Sequence, residues 1–148
     1  MIFYTTSSFR ESIAALTKKR KDGYMSVVKD LCDALTVMDD NTLRESNDRL
    51  FQFPEYRVVK LRIANSGQRL AKNNGFRLIY WVSLIHDNVV LMRIYPKRGS
   101  LSAVDLLKSE YIRLQTEVIT ESQNQTLHQV DIYDALTELS TATGLIRS

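Results

Sequence analysis

Three segments in the middle of the chain alternate between apolar and polar residues over the length of a β-strand. They cover residues 57–64, 76–83 and 89–95. The first link, NSGQRLAKNNG, contains two glycines, and the second is a short polar stretch around His86-Asp87-Asn88. A period of two residues is typical of strands, and short polar links join antiparallel neighbours. The sequence therefore predicts a three-stranded antiparallel meander.

Helical patterns flank this meander on both sides. Apolar residues recur at helical spacing within 9–16 and 25–38, and again within 102–122 and 130–139. A short strand is predicted at residues 2–5. Two amphipathic helices before a meander have a sheet face to cover. We therefore predict an α+β fold in which a small antiparallel sheet, the N-terminal strand plus the meander, packs on the two N-terminal helices.

The chain of 148 residues has the length of one domain. We expect residues 1–122 to form this domain and residues 123–148 to be a C-terminal helical extension packed on it. The polar stretch 41–56 fits neither period and is assigned to no element.

Each of the three strands has one wholly apolar side, because successive side chains point to opposite faces of a sheet. We expect these sides to pack under the N-terminal helices. The apolar sides are formed by Val59, Leu61 and Ile63, by Phe76, Leu78, Tyr80 and Val82, and by Val90, Met92 and Ile94.

The opposite side of every strand contains at least one cation. If the strands are neighbours, these cations share one sheet face with two aromatic side chains. Like charges crowded on one face repel, and a surface built only for solubility mixes in acids. Basic and aromatic groups together suit RNA, because cations neutralise phosphates and planar groups stack on unpaired bases. The residues concerned are Lys60, Arg62, Arg77, Arg93 and Lys97, with Trp81 and Tyr95.

The basic residues are concentrated in this middle third. Residues 57–98 contain nine basic residues and one acid, Asp87, which gives a local charge of +8. The rest of the chain sums to −5, so the net charge is only +3. Such segregation favours an anionic partner, either nucleic acid or an acidic protein tail. An ordinary solvated strand face, with Trp81 covered by the C-terminal helix, is the other interpretation of the same pattern.

Several classes of protein are not expected from this sequence. No apolar run approaches the ~18 residues of a membrane span, and the N-terminus lacks the basic and apolar blocks of a secretion signal. Cys32 is the single cysteine, so we expect no internal disulfide and a cytoplasmic location. The two histidines, His86 and His128, are 42 residues apart, which disfavours a zinc site or a two-histidine nuclease. We expect no metal and no cofactor.

The middle of the chain resembles the RelE/HigB toxins of bacterial type II toxin-antitoxin systems, within the RelE/ParE superfamily. The resemblance rests on VVKLRIANSGQRLAKNNGFRLIYWV followed by VVLMRIYPKRGSLSAVDL, about 50 residues in all. The N-terminal third agrees only in its pattern of elements. The matching motifs are the pair Lys60 and Arg62, the run Gly75-Phe76-Arg77-Leu78-Ile79-Tyr80, the strand end Ile94-Tyr95-Pro96-Lys97, and Asp105-Leu106.

The resemblance implies a ribosome-dependent endoribonuclease that cuts mRNA and is held inactive by a cognate antitoxin. In its metal-free chemistry, the ribose 2′-OH attacks the adjacent phosphate and leaves a 2′,3′-cyclic phosphate and a 5′-OH. This needs a base for the 2′-OH, cations for the phosphorane, and a proton donor for the leaving oxygen. The implied partners are the 70S ribosome with its mRNA and an antitoxin of the helix-turn-helix type, with no membrane.

The resemblance also implies the site residues, position by position. Lys60 is the candidate base, and a lysine acts as a base only where neighbouring cations such as Arg62 favour its neutral form. Arg77 matches the central phosphate-binding arginine. Lys97 and Arg98 match basic residues that stabilise the transition state or donate a proton. Further RNA contacts are expected from Arg69, Lys72, Arg93, Tyr95 and Trp81.

The chain also departs from the family pattern. Residues 101–106 contain no tyrosine, although RelE proper has one in this segment, and Tyr95 at the third strand's end is the HigB-like position. The tail beyond Ser122 is longer than is usual. Two alternatives share the fold: a ParE-like inhibitor of DNA gyrase that cuts no nucleic acid, and an inactive module that binds antitoxin or RNA. The paired cations favour the nuclease.

Overall fold

The computed structural model describes residues 1–19, 23–46, 49–103 and 105–134. Within these residues, no helix combines the length and the apolar character needed to cross a bilayer. The helices are α1 (Ser7–Lys18), α2 (Val27–Thr36), α3 (Asp40–Arg44) and α4 (Lys108–Gln123). The strands are β1 (Ile2–Thr5), β2 (Arg49–Gln52), β3 (Tyr56–Ile63), β4 (Phe76–Ser83), β5 (Asn88–Pro96) and β6 (His128–Val130).

These strands form one mixed sheet in the order β2-β3-β4-β5-β1-β6. β1 runs parallel to β5, and all other neighbours are antiparallel. The predicted α+β class and the meander β3-β4-β5 are confirmed. The predicted small antiparallel sheet is corrected, because β1 is a parallel neighbour and because β2, from the unassigned stretch 41–56, and β6 widen the sheet at its two edges.

The three N-terminal helices cover one face of the sheet. α1 begins after Thr6, whose hydroxyl accepts a hydrogen bond from the Phe9 amide at 3.2 Å. This bond satisfies one of the amides that a helix start leaves unpaired. Phe9, Ile13 and Leu16 are at most 2% exposed. α1 lies against β5, and these residues share one apolar cluster with the inward sides of β3 and β4 that the sequence predicted.

The opposite face of the sheet is covered by α4. Tyr111, Leu114 and Val118 of this helix form a second apolar cluster with residues of β3, β4 and β5, among them Val58 and Ile79. Apolar side chains that leave water in this way stabilise the domain. The centre of this face is therefore core, and the cations lie at one end of it.

One strand departs from regular alternation. The register between β4 and β5 shifts after the pair Ile79–Arg93, which leaves Met92 as an extra residue in β5. A bulge of this kind reverses the alternation of side chains on its strand. The prediction that Val90, Met92 and Ile94 share one side is therefore wrong. Ile94 faces the N-terminal helices, whereas Val90 and Met92 face α4.

The C-terminal third also differs from the prediction. α4 begins at Lys108 rather than at Ser102, and the Glu110 side chain accepts a hydrogen bond from the Leu107 amide at 3.3 Å where the helix starts. The helix predicted over 130–139 is replaced at its beginning by β6, and its part from residue 135 onward lies outside the described residues.

Candidate functional site

Two rows of residues across the sheet contain most of the predicted cations. In the first row, Lys60 and Arg93 lie on either side of Ile79. In the second row, Arg62 and Arg77 are direct cross-strand partners. These positions all point to the α4 side of the sheet, so the structure brings the predicted cations together. This surface is named the cationic face, and its members are Lys60, Arg62, Arg77, Arg93 and Tyr95. Lys97 directly follows the end of β5, and its amide donates to the Gly75 carbonyl oxygen.

Arg77 is the most buried cation of the cationic face and is only 7% exposed. Its guanidinium group donates to the carbonyl oxygens of Lys72 at 2.8 Å, Asn73 at 2.8 Å and Phe76 at 3.2 Å. The first two belong to a 3₁₀ turn, Lys72–Asn74. Arg77 therefore holds this turn against the sheet, a structural role that the sequence did not predict.

Two carboxylates from the C-terminal third reach the cationic face. Asp105 Oδ1 lies 3.6 Å from Lys60 Nζ, and Glu110 Oε2 accepts a hydrogen bond from Arg93 Nη1 at 2.8 Å. Both pairs are partly exposed, so each adds little to stability. The pair of Lys60 with Asp105 matters more for the chemistry of the site. Lys60 faces a carboxylate there, whereas the predicted role as a base requires cationic surroundings.

Two buried tyrosines lie beside these ion pairs. Tyr111 donates its hydroxyl proton to Asp105 Oδ1 at 2.9 Å. Tyr95 is 3% exposed, and its buried hydroxyl faces and interacts with the Tyr111 hydroxyl. The Arg93 guanidinium carbon lies 5.9 Å from the centre of the Tyr95 ring, within cation–π distance. Tyr95 is thus part of the wall of the site and offers little ring surface for stacking on a base.

These contacts determine the ionisation of the cluster. The hydrogen bond from Tyr111 lowers the pKa of the Asp105 carboxyl; a backbone amide and the Lys60 charge act in the same direction, against partial burial. Burial, together with the hydrogen bond to Asp105, raises the pKa of Tyr111. Burial and the charge of Asp105 also raise the pKa of Tyr95. At neutral pH, Asp105 is therefore an anion and both tyrosines are neutral.

Other predicted basic residues surround the 3₁₀ turn. Arg98 donates from Nε and Nη2 to Asn74 Oδ1 at 3.1 and 2.8 Å, and Arg62 donates from Nη1 to Asn73 Oδ1 at 3.2 Å. The turn thus connects the rim of the cationic face to Arg77 at its centre. The loop that contains the turn also bears two exposed cations, Arg69 and Lys72.

Trp81 does not lie with these cations. Its ring stacks on Tyr56 with 3.6 Å between centroids and 6° between planes, and Tyr56 stacks on Phe53 at 4.6 Å. The stack borders a groove of about 680 Å³ between the sheet and the end of α4. Trp81 and Arg77 are on the same side of β4 but four residues apart, which is ~13 Å along a strand. A base bound at Trp81 would therefore be distant from a phosphate bound at the cationic face.

Asp105, Glu110 and Tyr111 are absent from the residues that the sequence predicted for the site. In the sequence, Asp105 belongs to the Asp-Leu motif, and Tyr111 falls within the helical pattern of residues 102–122. The distribution of charge could have indicated a contact of the C-terminal third with the basic segment. Residues 99–148, which directly follow that segment, contain seven acids and three basic residues. A segment of opposite charge is well suited to pack on an earlier basic one.

Comparisons with protein-family models, with curated proteins and with solved structures find no match to this chain. The likeness to RelE/HigB toxins thus rests on the sequence motifs. Within the described part of the chain, no three His, Cys, Asp or Glu side chains are grouped so that they could hold a metal ion.

Proposed function

We propose that this chain is a metal-independent endoribonuclease of the RelE/HigB kind, a type II toxin that cuts mRNA on the 70S ribosome in the cytoplasm and is inhibited by a helix-turn-helix antitoxin. The observation that supports this proposal is the cationic face, where adjacent rows of three strands present ammonium and guanidinium groups around a carboxylate. Cleavage by the 2′-OH requires phosphate binding, charge stabilisation and proton transfer. The functional groups of this face are suited to all three.

In this proposal, the role of each cation depends on how deeply it lies in the cationic face. Lys60 and Arg93, in the first row, face the scissile phosphate and stabilise the phosphorane, and a guanidinium group can contact two phosphate oxygens at once. Arg62, Lys97 and Arg98 contact neighbouring phosphates from the rim. Arg77 acts mainly by holding the 3₁₀ turn in place.

The proposal is tested by mapping transcript ends after brief induction of the chain. We expect cuts in phase with codons inside translated regions, with 2′,3′-cyclic phosphates at the new 3′ ends. Lys60→Ala should remove the cuts and relieve growth arrest while circular dichroism shows an intact fold. Lys29→Ala, which removes an exposed lysine paired with Asp33 on α2, is the matched control and should stay toxic. Intact transcripts in arrested cells would contradict the proposal, and gyrase-dependent DNA breaks would then favour the ParE-like alternative.

A second candidate function is a module that binds RNA or an antitoxin without cutting. It is favoured by Asp105 and Glu110, whose charges oppose those of Lys60 and Arg93 on the cationic face. This candidate predicts that purified protein binds single-stranded RNA and leaves it intact, with or without ribosomes. The end-mapping experiment separates the two candidates.

A further inference from the structure

Asp105 is held on the cationic face by contacts to one of its two carboxylate oxygens. Oδ1 accepts hydrogen bonds from the Leu106 amide at 2.8 Å and the Tyr111 hydroxyl at 2.9 Å, and it lies 3.6 Å from Lys60 Nζ. The side chain is nevertheless 60% exposed. A carboxylate anchored in this way has a fixed orientation, and its Oδ2 atom is available to a molecule that binds the face.

The pair formed by Asp105 and Lys60 lies above a buried wall. The Tyr95 hydroxyl is buried close to Asp105 and interacts with the Tyr111 hydroxyl, which in turn binds Asp105. An anchored carboxylate beside an ammonium group suits a phosphodiester with a neighbouring 2′-OH.

We propose that Asp105 is the general base of the reaction and that Lys60 is its general acid, an inference that rests on the proposed ribonuclease function. Asp105 supplies an ionised carboxylate, whereas Lys60 has this carboxylate as its neighbour at 3.6 Å. An ammonium group has protons to donate and no acceptor atom, whereas an ionised carboxylate only accepts. Asp105 therefore removes the proton and Lys60 donates one, which reverses the assignment of Lys60 as the base.

Asp105 and Lys60 together account for every proton transferred in the chemical step. The 2′-oxygen gives its proton to Asp105 Oδ2 and forms a bond to phosphorus, while the bond between phosphorus and the 5′-oxygen breaks. The leaving 5′-oxygen takes a proton from Lys60 Nζ, which yields the 2′,3′-cyclic phosphate and the 5′-OH. A proton then passes from the Asp105 carboxylic acid to the neutral Lys60 amine and restores the ion pair.

The first test is a single-turnover cleavage assay with ribosome-bound mRNA, using the full chain. We expect Asp105→Asn to lower the cleavage rate by about 10²- to 10⁴-fold, the usual contribution of a general base. Its affinity for a 2′-deoxy, uncleavable mRNA should be unchanged or higher, because a negative charge is lost. Asp87→Asn, which removes a carboxylate paired with Arg44 on the β4–β5 hairpin, is the matched control and should cleave at the wild-type rate.

A second variant keeps the inference testable if Asp105→Asn fails to fold. Tyr111→Phe preserves the buried ring but removes the hydrogen bond that lowers the pKa of Asp105. The acid limb of its rate–pH profile should therefore move to higher pH. The titratable groups facing Asp105 are Lys60 from β3, Tyr95 from β5 and Tyr111 from α4, and only the last is altered.

Each outcome decides between the two proposals. A wild-type chain that cleaves, with Asp105→Asn within tenfold of its rate, would overturn the role of Asp105 and leave the ribonuclease function standing. An acid limb that does not move in Tyr111→Phe would also overturn this role. A wild-type chain that binds mRNA on the ribosome but never cuts it would overturn both proposals.

Discussion

At the scale of single residues, the contacts of Arg77 decide what its removal should do. Three of its hydrogen bonds end on backbone carbonyls, so Arg77→Ala leaves these acceptors unpaired or in need of water. We expect the free energy of unfolding to fall by about 1–3 kcal/mol. Urea unfolding followed by circular dichroism measures this change.

Arg98→Ala is the matched control for Arg77→Ala. Its guanidinium group is exposed and bonds to the Asn74 side chain, so we expect a change within about 0.5 kcal/mol. Equal stability of the Arg77→Ala variant and the wild type would show that the turn is not held by Arg77. Any loss of cleavage in Arg77→Ala must therefore be compared with its loss of stability.

Gly75 gives a second prediction at the residue scale. A Cβ atom at this position would overlap the Ile63 carbonyl oxygen and lie 2.8 Å from the Asn65 amide nitrogen. Both are backbone atoms that cannot rotate away, so Gly75→Ala should lower the free energy of unfolding by about 1–3 kcal/mol. At Gly67, by contrast, the nearest atom is the Ser26 hydroxyl oxygen at 2.9 Å. A larger drop in the thermal unfolding midpoint for Gly67→Ala than for Gly75→Ala would contradict this close packing at the start of β4.

At the scale of elements, the start of α1 depends on α4. Glu117 accepts hydrogen bonds from the Ser8 amide at 2.9 Å and the Ser8 hydroxyl at 2.7 Å, and Glu121 accepts from the Ser7 amide. These carboxylates satisfy amides at the helix start and interact favourably with its dipole. The two helices, on opposite faces of the sheet, are therefore joined at one end.

The pH dependence of this junction follows from Glu117. Burial acts to raise the pKa of its carboxyl, but the hydrogen bonds from Ser8 and the charge of Arg113 outweigh burial and lower the pKa from its ordinary value of 4.5. The stabilisation is therefore complete above that value and is lost as the pH falls through the lowered pKa. Glu117→Gln should cost about 1 kcal/mol at pH 7, the typical value of a helix cap.

Urea unfolding at pH 7 and pH 3 measures this dependence. The difference in stability between the wild type and Glu117→Gln should shrink at the lower pH, because the fall in pH shifts the wild-type carboxyl towards its protonated form. Glu11→Gln, at an exposed position of α1, is the control. A difference that stays the same at both pH values would contradict the assigned role of the Glu117 charge.

At the scale of the whole molecule, local patterns were predictable and pairings between distant segments were not. The bounds of β1 and β4 agree with the prediction because alternation is a property of neighbouring residues. The parallel pairing of β1 with β5 joins segments that are far apart in sequence. The cations of the site were predictable from the strands. Asp105 and Tyr111 were not, because their place depends on how α4 packs across the sheet.

The salt dependence of RNA binding tests the charge distribution of the whole molecule. Affinity for single-stranded RNA falls with salt by a slope of about 0.7 per phosphate contact on logarithmic axes. We expect Lys60→Ala to reduce this slope by about one contact, since Lys60 lies on the cationic face. Lys29→Ala, on α2, should leave the slope unchanged. Fluorescence anisotropy at several salt concentrations measures both, and equal slopes for all three proteins would place the RNA elsewhere.

In the proposed function, the cationic face cuts RNA by attack of the 2′-OH. To test this, the purified chain is incubated with 70S ribosomes that carry one of two mRNAs. One mRNA has the normal nucleotide at the cut site, and the other has its 2′-deoxy analogue. The RNA ends are then analysed. We predict fragments with 2′,3′-cyclic phosphate and 5′-OH ends from the normal mRNA and none from the 2′-deoxy mRNA. Uncut normal mRNA, or fragments with other ends, would contradict the claim.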